Sequence, residues 1–120
     1  MAGGASFVER RRFLRLNSDC PVQLKQMPQN YPVQIHNSIS EDISEGGLQL
    51  SSFYFYPVHC KLLVELFVSQ EAEPIKVVGR VVWVEQMPYQ ERYKVGIEFS
   101  DLNEESRVYL RQVISDSALS

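Results

Sequence analysis

Four of the eight arginines in this chain lie close together near the N-terminus, as Arg10, Arg11, Arg12 and Arg15. Residues 1–15 contain only one acid, so this end carries a net charge of +3, whereas the whole chain is −3 and the remainder is −6. A guanidinium group is planar and can donate two parallel hydrogen bonds to a phosphate or to the edge of a guanine base. The cluster therefore indicates a localised anionic partner, and the simpler alternative is a solvated, partly disordered arm.

A second polar segment, residues 42–47, combines turn-forming residues with groups that can read a ligand. Asp42 offers two acceptor oxygens to paired N–H donors such as those of a guanine edge, and Ser44 can both donate and accept. Gly47 has no side chain, so a ligand could come close to the backbone there. Gly46, which precedes it, gives the turn more conformational freedom. Asp, Ser and Gly also dominate ordinary turns, so this segment alone does not separate a site from a plain loop.

Signals for catalysis are weak. His36 and His59 stand alone, and Cys60 follows His59 directly, where adjacent strand residues would face opposite sides. Metalloprotease, nucleophile-elbow and phosphate-loop motifs are missing from the sequence. Cys20 and Cys60 are far apart and lack metal-binding spacing, so we expect reduced thiols. The sequence predicts a binding protein rather than an enzyme, with no metal and no cofactor.

Length and composition predict one soluble domain. A chain of 120 residues is long enough for a single core, and the acidic body argues against a general DNA or RNA binder. Secretion signals are missing, and none of the apolar stretches approaches the roughly 20 residues that span a membrane. We expect a cytoplasmic protein without membrane insertion, with a flexible arm at residues 1–8 and a single domain at residues 9–120.

Apolar and polar residues alternate in six segments, the period of strands with one buried face. In the second of these, Ile35 and Ile39 are assigned to the buried face, and residues 40–47 interrupt the strand. In the fifth segment, Trp83 is assigned to the same face as Val81. Both faces of this segment are apolar near its end, which predicts that other parts of the protein cover the strand on both sides there. The six predicted strands lie near residues 22–25, 33–39, 48–50, 61–68, 75–85 and 93–99.

The end of the chain changes to helical spacing. Asn103 is a candidate N-cap followed by two acids, and apolar residues then recur every three to four positions to about Ser115. Six strands at short, regular spacing indicate a closed barrel, which leaves no exposed edges.

The two polar segments together resemble a known signature. Arg11-x-x-x-Arg15 followed by Asp42-x-Ser44-x-x-Gly47 resembles the paired motifs of the PilZ domain family, bacterial receptors for cyclic di-GMP. The resemblance spans essentially the whole chain, because residues 79–83, residues 93–99 and the final helix resemble the family's last elements. It implies a mainly β fold, a six-stranded antiparallel (Greek-key-like) β-barrel with a C-terminal α-helix, and the arginine segment across its open face.

The resemblance also implies roles for the site residues. Arg11 and Arg15 would contact the phosphates and the Hoogsteen edges of guanine. Asp42 and Ser44 would read one guanine base, and Gly47 would allow its approach.

Four residues are further candidates for ligand contacts. Arg10 precedes the motif, and such a residue in this family favours two stacked nucleotides bound as an intercalated dimer. Arg12 is left open between a ligand contact and a solvated charge. Trp83 is left open between stacking on a base and a position at the core or rim. Gly46 adjoins Gly47 in the turn.

We therefore expect a non-catalytic cyclic di-GMP receptor whose ligand orders the arm and so changes the surface seen by a downstream protein partner. Its outputs would be motility, surface attachment or exopolysaccharide production. One alternative is a nucleotide-independent adaptor in motility or secretion. Another is a small barrel for single-stranded nucleic acid, which the acidic body and the lack of basic residues among the aromatics at 53–56 disfavour.

Overall fold

The computed structural model describes residues 20–27, 34–69, 71, 73–100 and 102–119, with side chains up to Ser115. Six antiparallel strands close a barrel in the order β1-β2-β3-β6-β5-β4, and a C-terminal helix follows, so the predicted fold class is confirmed. The predicted flexible arm, the four clustered arginines and residues 28–33 lie outside the described residues. The elements are β1 (Cys20–Met27), β2 (Ile35–Ile43), β3 (Gly47–Ser52), β4 (Lys61–Leu66), β5 (Ile75–Gln86), β6 (Tyr93–Phe99) and α1 (Glu104–Leu119).

The interior of the barrel is built by alternate residues of the strands, as the period-two pattern predicts. In β1, Val22 and Leu24 are fully buried, and in β4 the same is true of Leu62, Val64 and Leu66. β1 pairs with both β2 and β4, and the remaining strands pair in the same closed series. Closure leaves every strand with two neighbours, which removes the edges at which sheets aggregate.

Two β-bulges interrupt this alternation. The register of β2 on β3 shifts between Ser40 and Asp42, and that of β5 on β6 shifts between Val81 and Trp83. Each bulge adds one residue, so two consecutive side chains lie outside the barrel. The prediction that Trp83 shares the buried face of Val81 is therefore wrong, because Val81 is buried and Trp83 is 40% exposed. The predicted cover on both faces is also wrong, since Val82 is 37% exposed.

β2 faces the opposite way from the prediction. Ile35 and Ile39 were expected inside, but they are 50% and 54% exposed. The pairing with β1 sets Ser38 opposite Val22 and His36 opposite Leu24, and directly paired residues share a face. These polar residues are satisfied by hydrogen bonds, as the Ser38 hydroxyl donates to the Ser51 carbonyl over 2.7 Å.

The second strand is also longer than predicted. It continues through the bulge to Ile43, which is fully buried, so only the segment from Ser44 to Gly46 forms the turn. The interruption predicted from residue 40 is wrong, because a bulge accommodates polar residues without ending a strand.

Helix α1 packs against the barrel interior. The Asn103 side chain accepts a hydrogen bond of 2.7 Å from the backbone N–H of Ser106, which confirms the predicted N-cap. Leu110 and Ile114 are buried in the same apolar cluster as the barrel strands. Among the described residues, the helices do not combine the length and apolarity needed to cross a membrane.

Candidate ligand-binding groove

A groove of about 380 Å³ runs along the outer face of the barrel across β3, β6 and β5, and we call it the lateral groove. Its volume is within the range of small-molecule sites. It brings together five of the nine site residues predicted from the sequence, namely Asp42, Ser44, Gly46, Gly47 and Trp83. The other four are the arginines outside the described residues. The remaining lining residues are Leu48, Gln49, Val82, Gly96, Ile97 and Glu98.

The turn at one end of the groove is closed by its own hydrogen bonds. The Ser44 N–H donates to the Gly47 carbonyl over 2.9 Å, and the Gly46 N–H donates to the Ser44 hydroxyl oxygen over 3.2 Å. The Phe99 N–H donates to the Gly46 carbonyl over 2.9 Å, which ties the turn to the end of β6. Ser44 therefore shapes the turn itself, as serine often does, in addition to lining the groove.

The two glycines of the turn have different roles. A side chain at Gly47 would collide with the carbonyl oxygen of Ile97, because β3 and β6 approach closely there. At Gly46, by contrast, an added Cβ would have the Ser44 hydroxyl, at 3.9 Å, as its nearest neighbour. Gly47 is thus required by strand pairing, a reason that the sequence did not suggest, and Gly46 is the glycine that faces open space.

Trp83 forms part of the opposite wall of the groove. It is paired with Gly96 of β6, and a Cβ on Gly96 would collide with the indole ring. The ring thus occupies the space that a side chain at Gly96 would fill. Because Trp83 remains 40% exposed, part of the indole is open for stacking against a planar ligand.

The described groove is acidic. Asp42 and Glu98 line it, and its lining contains neither lysine nor arginine within the part of the chain that the structure describes. Glu98 on β6 accepts a hydrogen bond of 3.3 Å from Arg80 on the neighbouring strand β5. Carboxylate and amide oxygens suit the N–H donors of a base, whereas a phosphate needs cations from elsewhere.

Sequence reasoning missed Gln49 and Glu98 as groove residues. The alternation in β3 and β6 could have placed each on the outer face of its strand. Their proximity follows only from the topology, which sets β3 beside β6 with Gln49 opposite Gly96.

Glu45, in the middle of the turn, connects it to helix α1. The Glu45 carboxylate accepts hydrogen bonds of 2.9 Å from Arg111 Nε and 3.0 Å from Arg111 Nη2, and Arg107 lies 4.0 Å away. Its side chain is only 11% exposed. The hydrogen bond from Arg111 holds the pKa of Glu45 below its ordinary value of 4.5.

The described residues offer little for metal chemistry. Within them, groups of three or more His, Cys, Asp or Glu side chains suited to a metal ion are missing. Cys20 and Cys60 are both free thiols, and burial raises the pKa of each above its ordinary value of 9.0.

Comparison with known proteins identifies the fold family. The model of the PilZ domain matches residues 9–116. This chain belongs to the PilZ domain family. Curated protein sequences give no match to this PilZ domain.

Solved structures also resemble the PilZ domain described here. The Bacillus subtilis inhibitor of motility MotI/DgrA superposes with a TM-score of 0.75 at 19% identity, over 92% of this chain and 52% of MotI. K. pneumonia MrkH gives a TM-score of 0.70 at 17% identity, over 89% of this chain and 48% of MrkH. The PilZ domain of Escherichia coli YcgR with c-di-GMP gives a TM-score of 0.67 at 13% identity, over 92% of both chains. This chain spans about half the length of MotI and MrkH.

Proposed function

We propose that this PilZ domain is a cytoplasmic, non-catalytic receptor for cyclic di-GMP. The observation that carries the proposal is the convergence on one groove of the segment containing Asp42, Ser44 and Gly46 with Trp83, which lies about 40 residues further along the chain. The PilZ domain of Escherichia coli YcgR, which shares the fold, was solved with c-di-GMP.

The lateral groove is suited to the base of the nucleotide. Asp42 provides acceptors for the adjacent N–H donors of a guanine edge, which adenine lacks in that arrangement. Trp83 provides an aromatic face on which the base stacks. Ser44 and the turn that it shapes fix the distance between these two contacts.

The phosphates are assigned to the arginine segment. Because the described groove lining is acidic, the charge partners of a dianionic ligand must come from elsewhere in the chain. Arg11 and Arg15 provide bidentate donors for phosphate and for the Hoogsteen edge of guanine, and Arg10 favours two stacked nucleotides. Arg12 adds positive charge at the same place.

The output is proposed to be a change of surface rather than a reaction. Binding orders the arginine segment against the barrel, and the energy of ordering comes from the charged contacts with the ligand. The ordered arm then creates or covers a contact surface for a downstream protein.

Isothermal titration with cyclic di-GMP tests this proposal. Arg15→Ala is expected to weaken binding by about tenfold to a hundredfold, since a charged hydrogen bond contributes roughly 1.5–3 kcal/mol. Lys76→Gln is the control, because Lys76 is exposed on β5 and does not line the groove. The same titration gives the stoichiometry, and two nucleotides per chain would support the intercalated dimer. Unchanged affinity in Arg15→Ala would contradict the arginine clamp.

A second candidate function rests on the loop after β3. Phe53, Tyr54 and Phe55 are 72%, 53% and 60% exposed, and neighbouring exposed aromatics often mark protein interfaces. They favour a nucleotide-independent adaptor, as in motility or secretion. Absence of heat on titration with cyclic di-GMP would favour this function, and binding of a single-stranded oligonucleotide instead would indicate a nucleic-acid barrel.

A further inference from the structure

The turn and helix α1 are joined by a contact that the proposed nucleotide contacts do not use. Glu45 and Arg111 are 66 positions apart in sequence and meet through two hydrogen bonds to one carboxylate. Such bidentate pairs are directional as well as attractive, because both donor and acceptor groups are planar. The contact therefore constrains the orientation of the turn relative to the helix.

The geometry makes Glu45 a part of the turn's support. Its backbone lies between Ser44 and Gly46, both of which line the lateral groove. Its own side chain is absent from the groove lining and is directed to α1. On the helix, Arg107 lies 4.0 Å from the same carboxylate, so arginines from two successive turns of α1 interact with Glu45.

We propose that Glu45 is a positioning residue for the guanine-reading turn, and that its pairing with Arg111 couples the lateral groove to helix α1. The inference rests on the proposed function and extends it to regulation. Events that displace α1 weaken nucleotide binding, and nucleotide binding in turn stabilises the position of α1.

This reciprocity follows from thermodynamic linkage, because two sites that favour the same conformation favour each other's occupancy. The bulk of α1 is held independently by Leu110 and Ile114, which are buried in the core. Loss of the ion pair therefore loosens the turn without detaching the helix. Arg111 lies on the exposed side of α1, so substituting it leaves the core intact.

The test compares four variants with the wild type by titration with cyclic di-GMP. Arg111→Gln removes the bidentate partner, and Lys76→Gln removes one positive charge elsewhere as a control. Glu45→Gln removes the carboxylate contacted by both arginines, and the double variant Glu45→Gln with Arg111→Gln closes a mutant cycle. Each single variant at the pair is expected to weaken binding about twofold to fivefold, the range of a partly exposed ion pair. The double variant is expected to be no weaker than Glu45→Gln, because both changes remove one interaction.

Amide hydrogen exchange in the absence of nucleotide supplies a second readout. In Arg111→Gln, the amides of Gly46 and Phe99, which form the hydrogen bonds of the turn, are expected to exchange faster than in the wild type and in Lys76→Gln. With nucleotide, the amides of α1 are expected to gain protection in the wild type and less in Arg111→Gln.

The outcomes separate this inference from the proposed function. Wild-type binding with unchanged affinity in Arg111→Gln, or losses that add in the double variant, would overturn the coupling and leave the receptor function standing. Failure of the wild type to bind would overturn the receptor function. In that case, amide exchange at the turn would still test whether the Glu45–Arg111 pair positions the turn. Equal exchange rates in Arg111→Gln and the wild type would overturn that positioning role as well.

Discussion

The two walls of the lateral groove are built differently. At the turn, residues 44–47 are held by backbone hydrogen bonds, by pairing with β6 and by the contact from Glu45 to α1. At the opposite wall, Trp83 projects from a bulge and contacts Gly96 through its side chain.

A pair of glycines shows what the difference means. A side chain at Gly47 would meet the backbone of Ile97, which cannot move without disrupting the pairing of β3 and β6. The three atoms nearest to a side chain at Gly96 would all belong to the indole of Trp83, a side chain whose χ angles can change without moving the backbone. The turn is thus preformed, which suits hydrogen bonds because their strength depends on direction. The indole wall can adjust its position, which suits stacking because a stacked base tolerates small shifts.

The largest effect is expected at the rigid wall. Gly47→Ala should lower the free energy of unfolding by about 3 kcal/mol, because the added methyl group forces β3 away from β6. Gly46→Ala is the matched control and should change it by less than about 0.5 kcal/mol, since its Cβ would enter open space. Urea denaturation of both variants measures the difference, and equal stabilities would contradict the close approach at Gly47.

The next effect concerns the residues beside the bulge of β2. Asp42→Ala should weaken cyclic di-GMP binding by roughly tenfold to a hundredfold and reduce the preference over cyclic di-AMP. Glu41→Ala removes the same charge one residue away, but Glu41 is directed to Ser51, whose hydroxyl donates to it over 2.8 Å. The affinity of Glu41→Ala for cyclic di-GMP should stay within about twofold of that of the wild type. Equal binding of both nucleotides to the wild type would exclude base reading by Asp42.

A smaller effect is expected at the indole wall. Trp83→Ala should weaken binding by about fivefold to tenfold, at the low end for base stacking because the ring is partly exposed. Trp83→Phe should retain most of the affinity, since it keeps an aromatic face. Tyr89→Ala is the control, because Tyr89 is fully exposed and does not line the groove. If Trp83→Ala matches that control, the indole does not stack on the ligand.

The smallest effect is the pH dependence of Glu45. Its pKa is lowered in the folded protein, so its ion pair adds stability that is fully present above about pH 4.5 and is lost as the pH falls through the lower folded value. The groups facing its carboxylate are the guanidinium groups of Arg111 and Arg107. Glu45→Gln should be less stable than the wild type by under about 1 kcal/mol at pH 7 and equally stable near pH 2. A stability difference that persists near pH 2 would show that the charge is not responsible.

Sequence patterns predicted the regular parts of the fold. β1, β3, β4 and β6 contain no bulged residue, and Asn103 carries the side chain that an N-cap requires, so these elements were predictable from local chemistry. β2 and β5 were misassigned because each contains a bulge, and one extra residue reverses the face of those after it.

The candidate site was predictable only in part. Asp42, Ser44 and Gly47 are close in sequence and form a recognisable turn. Glu98, Gln49 and the contact of Glu45 with Arg111 depend on the closure of the barrel and the docking of the helix, which local patterns do not contain. The structural requirement for a glycine at position 47, the approach of a neighbouring strand, is equally non-local.

Trp83 is the only tryptophan in the chain, and it lies in the lateral groove, partly exposed beside Gly96. Its emission is therefore not mixed with that of an indole elsewhere in the protein. Occupation of the groove should change the wavelength and intensity of that emission directly, so that the unlabelled protein reports by intrinsic fluorescence on whatever enters the site. The aromatic side chain that adapts to the ligand thus also serves as a built-in optical reporter.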